Sequence, residues 1–445
     1  MADLLTPLGV YLRLRENYPM VFLLESSDYS SREDSKSFLC FDSLSSFVLT
    51  DGALMIDDKP VKVDNIVNQL DSYLASFDGD GGQAVSDGVF GFTSFDAIPA
   101  LDHQPYHYKT DGLDYPQMRY DFFRYVIIFD HYTDTMTIEE HCPDGEAATI
   151  ESIEGLLKVQ DYQTHPFTLS GEETTSMTDA DYKALVTKAK AHCQRGDVFQ
   201  MVLSRRYQQA FVGDDINVYR ALRSINPSPY LFYFDYGSYK IFGSSPEAQL
   251  KIQDGMAEIH PIAGTFKRSN DAIKDAELAM ALRQDPKENA EHVMLVDLAR
   301  NDLSKSCTEV EVTSYKEVQY FSHVIHLTSV VKGRLKAGRS AYQVFADTFP
   351  AGTLSGAPKY KALELINQYE PTDRGFYGGG IGMIGFDGGI NHAIIIRSFL
   401  SKDNVLNYQA GAGLVISSDE QSEMLEVGNK LAALKSALSK AQTLI

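Results

Sequence analysis

Two pairs of glutamates in this chain have a spacing that suggests a chemical role, the binding of a cation. Glu288 and Glu291 lie in a segment with the pattern of a capped helix, and Glu423 and Glu426 lie in a second helical segment near the C-terminus. Because residues three apart on a helix are neighbours, each pair concentrates negative charge on one helix face. Together the two faces could hold a hard cation such as Mg²⁺, which prefers carboxylate oxygens.

Each pair also has an ordinary structural explanation. Asp285 is suited to an N-cap and Pro286 to the first helical position, so Glu288 could instead close a capping box. That explanation does not account for Glu291. In the later helix Ser418 is the predicted N-cap, and the glutamates there could form a solvated acidic face. Spacing alone leaves both explanations open.

Segments of small residues lie near the ends of predicted strands. The string GIGMIG at 380–385 is followed by a strand-like run, whereas a dinucleotide-binding motif requires a helix there, so we predict a glycine-rich hairpin. Backbone N–H groups in segment 409–414 would suit a carboxylate, although a tight turn explains that segment equally well. Arg397 ends an apolar strand, where a buried guanidinium needs an anionic partner.

Composition limits the classes of partner. The chain has 445 residues, 44% of them hydrophobic and 23% charged, which is typical of a globular protein longer than one average domain. Its net charge of -21 argues against nucleic acid or an anionic membrane as a partner. The 4 cysteines lack CxxC spacing, as expected of reduced thiols in a cytoplasmic protein. Neither a signal peptide nor a transmembrane helix is expected.

Periodicity predicts an antiparallel α+β architecture, because strands joined by short turns alternate with groups of helices. The predicted helices are 63–77, 146–159, 179–195, 271–284, 286–301, 340–349, 358–369 and 419–442. The predicted strands are 20–24, 38–41, 88–92, 124–129, 198–210, 230–236, 239–243, 247–253, 378–386, 390–400 and 404–410. The polar stretch 164–178 has the pattern of a surface connection.

Taken together, the motifs over residues 179–440 resemble those of the chorismate-utilising enzymes. They are GDVFQMVLSRR, NPSPYLFYF, GSSPE, PIAGT, DPKENAEHVMLVDLARNDL, VIHL, FPAGTLSGAPK, FYGGGIGMIGFDG, IRS, QAGAGLV and QSEMLEVGNK. Within that family they most resemble the anthranilate synthase component I group. The resemblance implies an α+β fold of two packed, largely antiparallel sheets flanked by helices. It also implies a regulatory part over 1–170 and a chorismate-binding part over 171–445.

By this resemblance the substrate is chorismate, a ring with two carboxylates. Its ring carboxylate would meet Mg²⁺ held by Glu291 and Glu426, with Glu288 and Glu423 nearby or bound through water. A dianion beside four carboxylates needs such a cation between them. The family's substrate-binding positions correspond to Gly264, Thr265, Tyr377, Arg397, Gly411, Ala412, Gly413 and Lys430.

The family chemistry adds ammonia at ring C2 as the C4 hydroxyl leaves, and then eliminates pyruvate to give anthranilate. Glu247 of GSSPE matches the general acid for the leaving hydroxyl, which requires a raised pKa supplied by apolar surroundings and nearby acids. His326 of VIHL matches the histidine associated with elimination, and Thr353 completes the catalytic set. Without the resemblance, His326 would be interpreted as a structural histidine.

Two positions distinguish relatives within the family. Members that form isochorismate or salicylate have a lysine where this chain has Gln200, so water activation is not expected. Aminodeoxychorismate synthases have a lysine at the position of Ala263, which here leaves room for free ammonia. The alternatives kept open are an aminodeoxyisochorismate synthase, an aminodeoxychorismate synthase and a catalytically silent subunit that binds chorismate or tryptophan.

The resemblance also implies a protein partner and a regulator. The chain has no GxCxG nucleophile motif, so a separate glutamine amidotransferase subunit, component II, is expected to supply ammonia in a two-plus-two heterotetramer. Tryptophan is the expected feedback inhibitor, acting through an allosteric site. The family's tryptophan pocket corresponds to Glu25, Ser26, Lys36, Asn226, Pro229, Tyr230 and Leu231.

Overall fold

The computed structural model of the protein describes residues 4–26, 35–77, 86–101, 109, 113–143, 145–158, 162–269, 271–320 and 324–444. Its α-helices are α1 Pro7–Leu14, α2 Ile66–Ala75, α3 Ile98–Leu101, α4 Ile150–Lys158, α5 Asp179–Arg195, α6 Ile216–Ile225, α7 Ala272–Gln284, α8 Pro286–Ser306, α9 Ala341–Thr348, α10 Lys359–Tyr369 and α11 Glu420–Ala441.

The strands of the first half are β1 Val21–Glu25, β2 Lys36–Thr50, β3 Ala53–Ile56, β4 Lys59–Val61, β5 Gly88–Thr93, β6 Met118–Asp130, β7 Thr135–Glu140, β8 Phe167–Thr175, β9 Gln200–Gly213 and β10 Tyr230–Asp235. The remaining strands are β11 Tyr239–Ser245, β12 Ala248–Gln253, β13 Met256–Ile259, β14 Ile262–Lys267, β15 Cys307–Tyr320, β16 Val324–Leu335, β17 Gly356–Ala357, β18 Gly380–Gly385, β19 Ile390–Ile394, β20 Ser398–Lys402 and β21 Val405–Leu414.

These strands pair antiparallel into one hydrogen-bonded network with two branches. The long strands β2 and β6 pair with each other and join the branches. One branch runs from β2 through β1, β10, β11, β20, β21 and β9 to β8. The other runs from β6 through β5, β18, β19, β12 and β13 to β16, which also pairs with β14 and β15.

An aromatic core lies between the two branches. Phe22 of β1 stacks on Phe234 of β10 with 4.2 Å between ring centroids, and meets Phe123 of β6 edge-on at 4.8 Å. Ile381 of β18 and Leu400 of β20 are buried in the same cluster. Each such side chain contributes about 1.5–3 kcal/mol by leaving water. The predicted α+β class, with two packed and largely antiparallel sheets, is therefore confirmed.

Helices cover the outer faces of the branches. Along α11, Leu431, Leu434 and Leu438 form a buried stripe at helical spacing, and the helix packs on β21, α5 and α6. Helix α5 begins with a capping box between Thr178 and Asp181. No helix in the described part of the chain is long and apolar enough to cross a membrane.

Four local predictions were wrong. The stretch 164–178 contains β8, whose exposed, polar edge position next to β9 gives it the composition of a loop. The strand predicted over 390–400 divides into β19 and β20 because Arg397 adopts a φ of +51°. Helix α11 is capped by Asp419, not Ser418, since the Asp419 carboxylate accepts the Ser422 N–H at 2.8 Å. Strands β13 to β16 were not predicted.

Strands on both sides of the expected boundary at residue 170 pair with each other. Strand β1 lies between β2 and β10, and β5 lies between β6 and β18. The two predicted parts therefore share hydrogen-bonded sheet edges, and the aromatic core contains residues from both.

Candidate active site

Helix α8 presents the first glutamate pair. The Asp285 carboxylate caps the helix by accepting from the backbone N–H groups of Lys287 at 2.9 Å and Glu288 at 3.0 Å, and Pro286 occupies the first turn as predicted. Within the described residues no return bond joins the Glu288 side chain to the cap, so the capping box does not form. The Glu288 carboxylate is therefore available for another role.

The second pair, on α11, lies in the same electrostatic neighbourhood. Glu423 is buried and Glu426 is half-exposed. Burial raises the pKa of Glu288, and the negative charges of Glu291 and Glu426 raise it further. Burial also raises the pKa values of Glu291 and Glu423, and Glu426 adds to both shifts. The structure thus brings together the four predicted carboxylates from two helices far apart in sequence.

Carboxylate oxygens, the donor atoms of this cluster, are the ligand type that hard divalent cations prefer. Four carboxylates repel one another, and the Glu423 Oε2 atom is buried without a hydrogen-bond partner in the described part of the chain. As placed, no three carboxylate, imidazole or thiolate groups among the described residues are close enough to ligate one ion. Lys430 stands beside the cluster, with its Nζ atom 2.8 Å from Glu426 Oε1 and 2.9 Å from the Gly411 carbonyl oxygen.

The floor of the site is the end of strand β21. Segment 411–413 is not the tight turn considered from the sequence, because it pairs with 202–204 of β9. A Cβ atom on Gly413 would lie 2.2 Å from Gln200 Nε2, and one on Gly411 would lie 2.8 Å from the Leu203 carbonyl oxygen. The Gln200 amide donates to Glu291 Oε1 at 3.2 Å and so connects the floor to α8.

Glu247 lies between β11 and β12 on the opposite wall. Burial raises the pKa of this carboxyl to about 7, and the Thr353 hydroxyl, which donates to Glu247 Oε1 at 3.0 Å, opposes the shift. The charged neighbours that act on Glu247 are Arg397 and Lys430. The predicted direction is therefore correct, but the predicted contribution of nearby acids is wrong.

His326 of β16 is buried beside Gly264 of β14. Its Nδ1 atom lies 2.6 Å from the Gly264 carbonyl oxygen, and because a carbonyl can only accept, Nδ1 carries the proton. Burial lowers the pKa of His326 to about 4, and the Arg397 charge contributes. The imidazole is therefore neutral at physiological pH, with its lone pair on Nε2.

Gly264 connects this wall to the acidic cluster. Its φ is +69°, and an added Cβ would lie 2.7 Å from Leu282 Cδ1 and 3.1 Å from Glu288 Oε2. Glycine is thus required by both backbone conformation and space. The side chain of Thr265, the next predicted substrate-binding residue, lies outside the described part of the chain.

Arg397 and Tyr377 provide cationic and hydroxyl groups. Burial lowers the pKa of Arg397, opposed by the Glu247 carboxylate, and no ion pair of its guanidinium is found in the described ranges. Tyr377 is buried, which raises its pKa, and its hydroxyl oxygen accepts the backbone N–H of Gly411. Since that oxygen accepts from the backbone, the phenolic proton can be donated to a ligand.

Arg374 supports the site and was not predicted. Its fully buried guanidinium donates to Glu370, to the Leu354 carbonyl at 2.5 Å and to the Val202 carbonyl at 2.7 Å. These bonds attach the short 3-10 turn Gly352–Leu354, which contains Thr353, to strand β9. The only signal in the sequence is a glutamate four residues before the arginine.

The predicted tryptophan positions gather where β1 meets β10. Glu25 is paired in register with Leu231, and Tyr230 begins the same strand. Burial raises the pKa of Glu25, whose carboxylate accepts from Tyr219 Oη at 2.7 Å and lies 3.4 Å from Arg223 Nη1. These two α6 residues were not predicted.

The other predicted tryptophan positions surround this seam. The Asn226 amide lies 3.3 Å from Ser228 Oγ, and Pro229 is the next residue after that serine. Lys36 begins β2 opposite Asp130. Ser26 directly follows β1 and has a polar partner. Segment 27–34, which connects Ser26 to β2, lies outside the described residues.

Comparisons with known proteins show which family this chain resembles. Residues 21–436 match the profile of the family described as chorismate binding enzyme. The anthranilate synthase component 1 of Neisseria meningitidis serogroup B is 35% identical, over 99% of this chain and 94% of its own length. That of Bacillus subtilis is 34% identical, over 99% and 91%.

Solved structures show the same fold. The crystal structure of anthranilate synthase component I from Streptococcus pneumoniae TIGR4 has 31% identity and a TM-score of 0.79, covering 97% of this chain and 98% of that one. The menaquinone-specific isochorismate synthase from Escherichia coli has 18% identity and a TM-score of 0.73, covering 97% and 91%. At that identity the second likeness concerns the fold alone.

Proposed function

Because this chain belongs to the family of chorismate-binding enzymes, we propose that it acts as component I of an anthranilate synthase. The reaction is a lyase reaction of tryptophan biosynthesis, in which chorismate and ammonia give anthranilate and pyruvate. The observation that carries the proposal is that one buried guanidinium, Arg397, acts both on a carboxyl of pKa about 7, Glu247, and on the neutral imidazole of His326. One group can supply a proton and the other can remove one.

Substrate binding would use the groups around Glu247. Arg397 and Lys430 would pair with the carboxylates of chorismate, and Tyr377 would donate its phenolic proton. The backbone of 411–413, without large side chains, would let the ring approach closely. A doubly negative ring suits this wall because the Arg397 guanidinium has no ion pair among the described residues.

In the first step, protonated Glu247 would give its proton to the C4 hydroxyl, which leaves as water while ammonia bonds to C2. A pKa of about 7 keeps a large fraction of this carboxyl protonated near neutral pH. The Thr353 hydroxyl then stabilises the carboxylate that forms. General acid catalysis of this kind contributes typically about 10²–10⁴-fold in rate.

In the second step, His326 would accept the C2 proton on Nε2 as the bond to the enolpyruvyl oxygen breaks. The enolpyruvyl group gains a proton on its methylene carbon and leaves as pyruvate, and the ring becomes aromatic. The Gly264 carbonyl orients the imidazole through Nδ1 and stabilises the imidazolium that forms.

Magnesium would be held by Glu291 and Glu426, with Glu288 and Glu423 direct or water-mediated partners. When bound, the ion would neutralise the acidic cluster and the ring carboxylate of the substrate. The mutual repulsion of these carboxylates and the unpartnered Glu423 oxygen support this assignment.

Two further parts of the proposal come from the relatives. The name component 1 implies a second component, and we propose a glutamine amidotransferase that delivers ammonia in a cytoplasmic two-plus-two assembly. We also propose feedback inhibition by tryptophan at the seam between β1 and β10. The proximity of Glu25, Tyr230 and Leu231 supports such a pocket.

One assay tests the activity. The isolated chain is incubated with chorismate, Mg²⁺ and an ammonium salt at alkaline pH, and anthranilate fluorescence and pyruvate are followed. Stoichiometric anthranilate and pyruvate are expected. Pyruvate without anthranilate would contradict the proposal, an accumulating amino adduct would favour an aminodeoxyisochorismate synthase, and no turnover would favour a silent binding subunit.

A further inference from the structure

Lys430 lies beside the acidic cluster and forms an ion pair with one of its members. Its Nζ atom donates to Glu426 Oε1 at 2.8 Å, an ion pair between residues four apart on α11, and to the Gly411 carbonyl at 2.9 Å. The Glu-to-Lys order and spacing suit a helix. The lysine thus joins a proposed metal ligand to the floor of the site.

The charge of Lys430 also reaches both sides of the site. It lowers the pKa values of Glu291 and Glu423 in the acidic cluster, and of Glu247 on the opposite wall. Lys287, at the start of α8, acts on the same cluster but forms no ion pair with it among the described residues. Lys430 is therefore placed both to neutralise the cluster and to meet an anion beside Glu247.

A divalent ion and Lys430 have overlapping requirements. Both need the Glu426 carboxylate, and a cation of charge +2 placed beside the ammonium would be repelled by it. A second observation points to a cation in the cluster: Glu423 is 3% exposed, and its Oε2 atom has no partner within the described residues. The single lysine thus leaves part of the cluster unsatisfied.

We propose that Lys430 is an exchangeable counter-ion, which holds Glu426 in the metal-free enzyme and moves to a substrate carboxylate when the metal binds. This inference rests on the proposed function, because it requires both the metal and an anionic substrate. Each ligand then favours the other: the metal displaces the ammonium towards the substrate, and the substrate removes the ammonium from Glu426. Such coupling is reciprocal by thermodynamic necessity.

The test is calorimetric titration of Mg²⁺ into the full chain, with and without chorismate in ammonia-free buffer. Lys430→Met removes the competing ion pair, and Lys287→Met removes a charge that acts on the cluster without a direct bond. The Lys430 side chain is 47% exposed, so its substitution is compatible with folding, which thermal unfolding would verify.

Without chorismate, Lys430→Met should tighten Mg²⁺ binding by about 10-fold, and Lys287→Met by less than about 3-fold, because only the former loses a direct competitor. The increase in Mg²⁺ affinity caused by chorismate should shrink at least about 3-fold in Lys430→Met. Equal effects of the two substitutions, or unchanged binding in Lys430→Met, would overturn the exchange. If the wild-type chain binds no Mg²⁺ even with chorismate, the metal part of the proposed function fails instead.

Discussion

At the scale of single residues, Glu247 and His326 both experience the charge of Arg397 and have pKa values shifted in opposite directions. Burial raises the pKa of Glu247 to about 7 and lowers that of His326 to about 4, so an acid and a base coexist at one pH. The raised pKa of Glu247 was expected from the family resemblance, whereas the residues alone indicated a structural histidine at position 326. The hydrogen bonds between Thr353 and Glu247 and between His326 and the Gly264 carbonyl could not be predicted, because each joins residues more than 60 positions apart in the sequence.

The pH dependence of kcat/KM should report Glu247. Since the acid must be protonated, activity at constant free NH₃ should fall as pH rises through about 7. Thr353→Val removes a hydrogen bond that lowers the pKa of Glu247, so the fall in activity should shift to higher pH by roughly 0.5–1 pH unit. Thr313→Val, on the exposed strand β15, is the control. A fall in activity that stays at the same pH in Thr353→Val, or shifts to lower pH, would contradict the role of Glu247 as the acid.

Metal binding should depend on Glu426. Glu426→Ala should weaken Mg²⁺ binding at least about 10-fold and abolish turnover at low Mg²⁺, because it removes a charged ligand. Stability should change little, since the side chain is 45% exposed. Glu420→Ala, on the same helix and paired with Lys190, is the matched control. Full activity of Glu426→Ala at low Mg²⁺ would remove this residue from the ligand set.

At the scale of elements, helix caps determine where the acidic side chains lie. The start of α8 was predictable because Asp285 and Pro286 are local signals that act within one turn. The end of α8 and strands β13 to β16 were not predictable. Most residues of β15 are polar or exposed, so the strand lacks a clear apolar alternation, and its register depends on β16. Ser418 was mistaken for the cap because two adjacent residues, Ser418 and Asp419, can both serve.

The two capped helices α7 and α8 provide a matched pair of substitutions. Asp285→Ala should lower the free energy of unfolding by about 1 kcal/mol and weaken Mg²⁺ binding, because α8 carries two of the glutamates. Asp271→Ala, which removes the equivalent cap of α7, should lower stability by about the same amount and leave Mg²⁺ binding unchanged. Denaturant unfolding and calorimetry measure both; equal effects on binding would contradict a positioning role for the α8 cap.

The seam between β1 and β10 should control tryptophan inhibition. Ser26→Phe places a large ring at the end of β1, beside Glu25 and Leu231, and should raise the tryptophan concentration for half-inhibition at least about 10-fold by filling the pocket. Turnover without tryptophan should be retained, which is the internal control. The measurement is the rate of anthranilate formation at increasing tryptophan concentrations. An unchanged concentration for half-inhibition would exclude Ser26 from the pocket.

At the scale of the whole molecule, the two expected parts depend on each other. A fragment of residues 171–445 loses β1 and β5, which exposes the edges of β10 and β18 and half of the aromatic core. Exposed strand edges favour aggregation, so this fragment should be insoluble when expressed alone. Co-expression with residues 1–170 should restore soluble protein. A soluble, cooperatively unfolding 171–445 fragment would show independent domains.

Strand β21 determines which parts of this protein can diversify. A Cβ atom at Gly411 would lie 2.8 Å from the Leu203 carbonyl oxygen, so a larger residue there would require the paired backbone to shift, whereas the obstacle at Gly413 is the flexible Gln200 side chain. Libraries of variants should instead yield an altered preference for the nucleophile through substitutions at Gln200 and Thr353, whose side chains line the walls of the candidate site. In protein engineering, the glycine positions of β21 can therefore be kept fixed while only the surrounding positions are randomised.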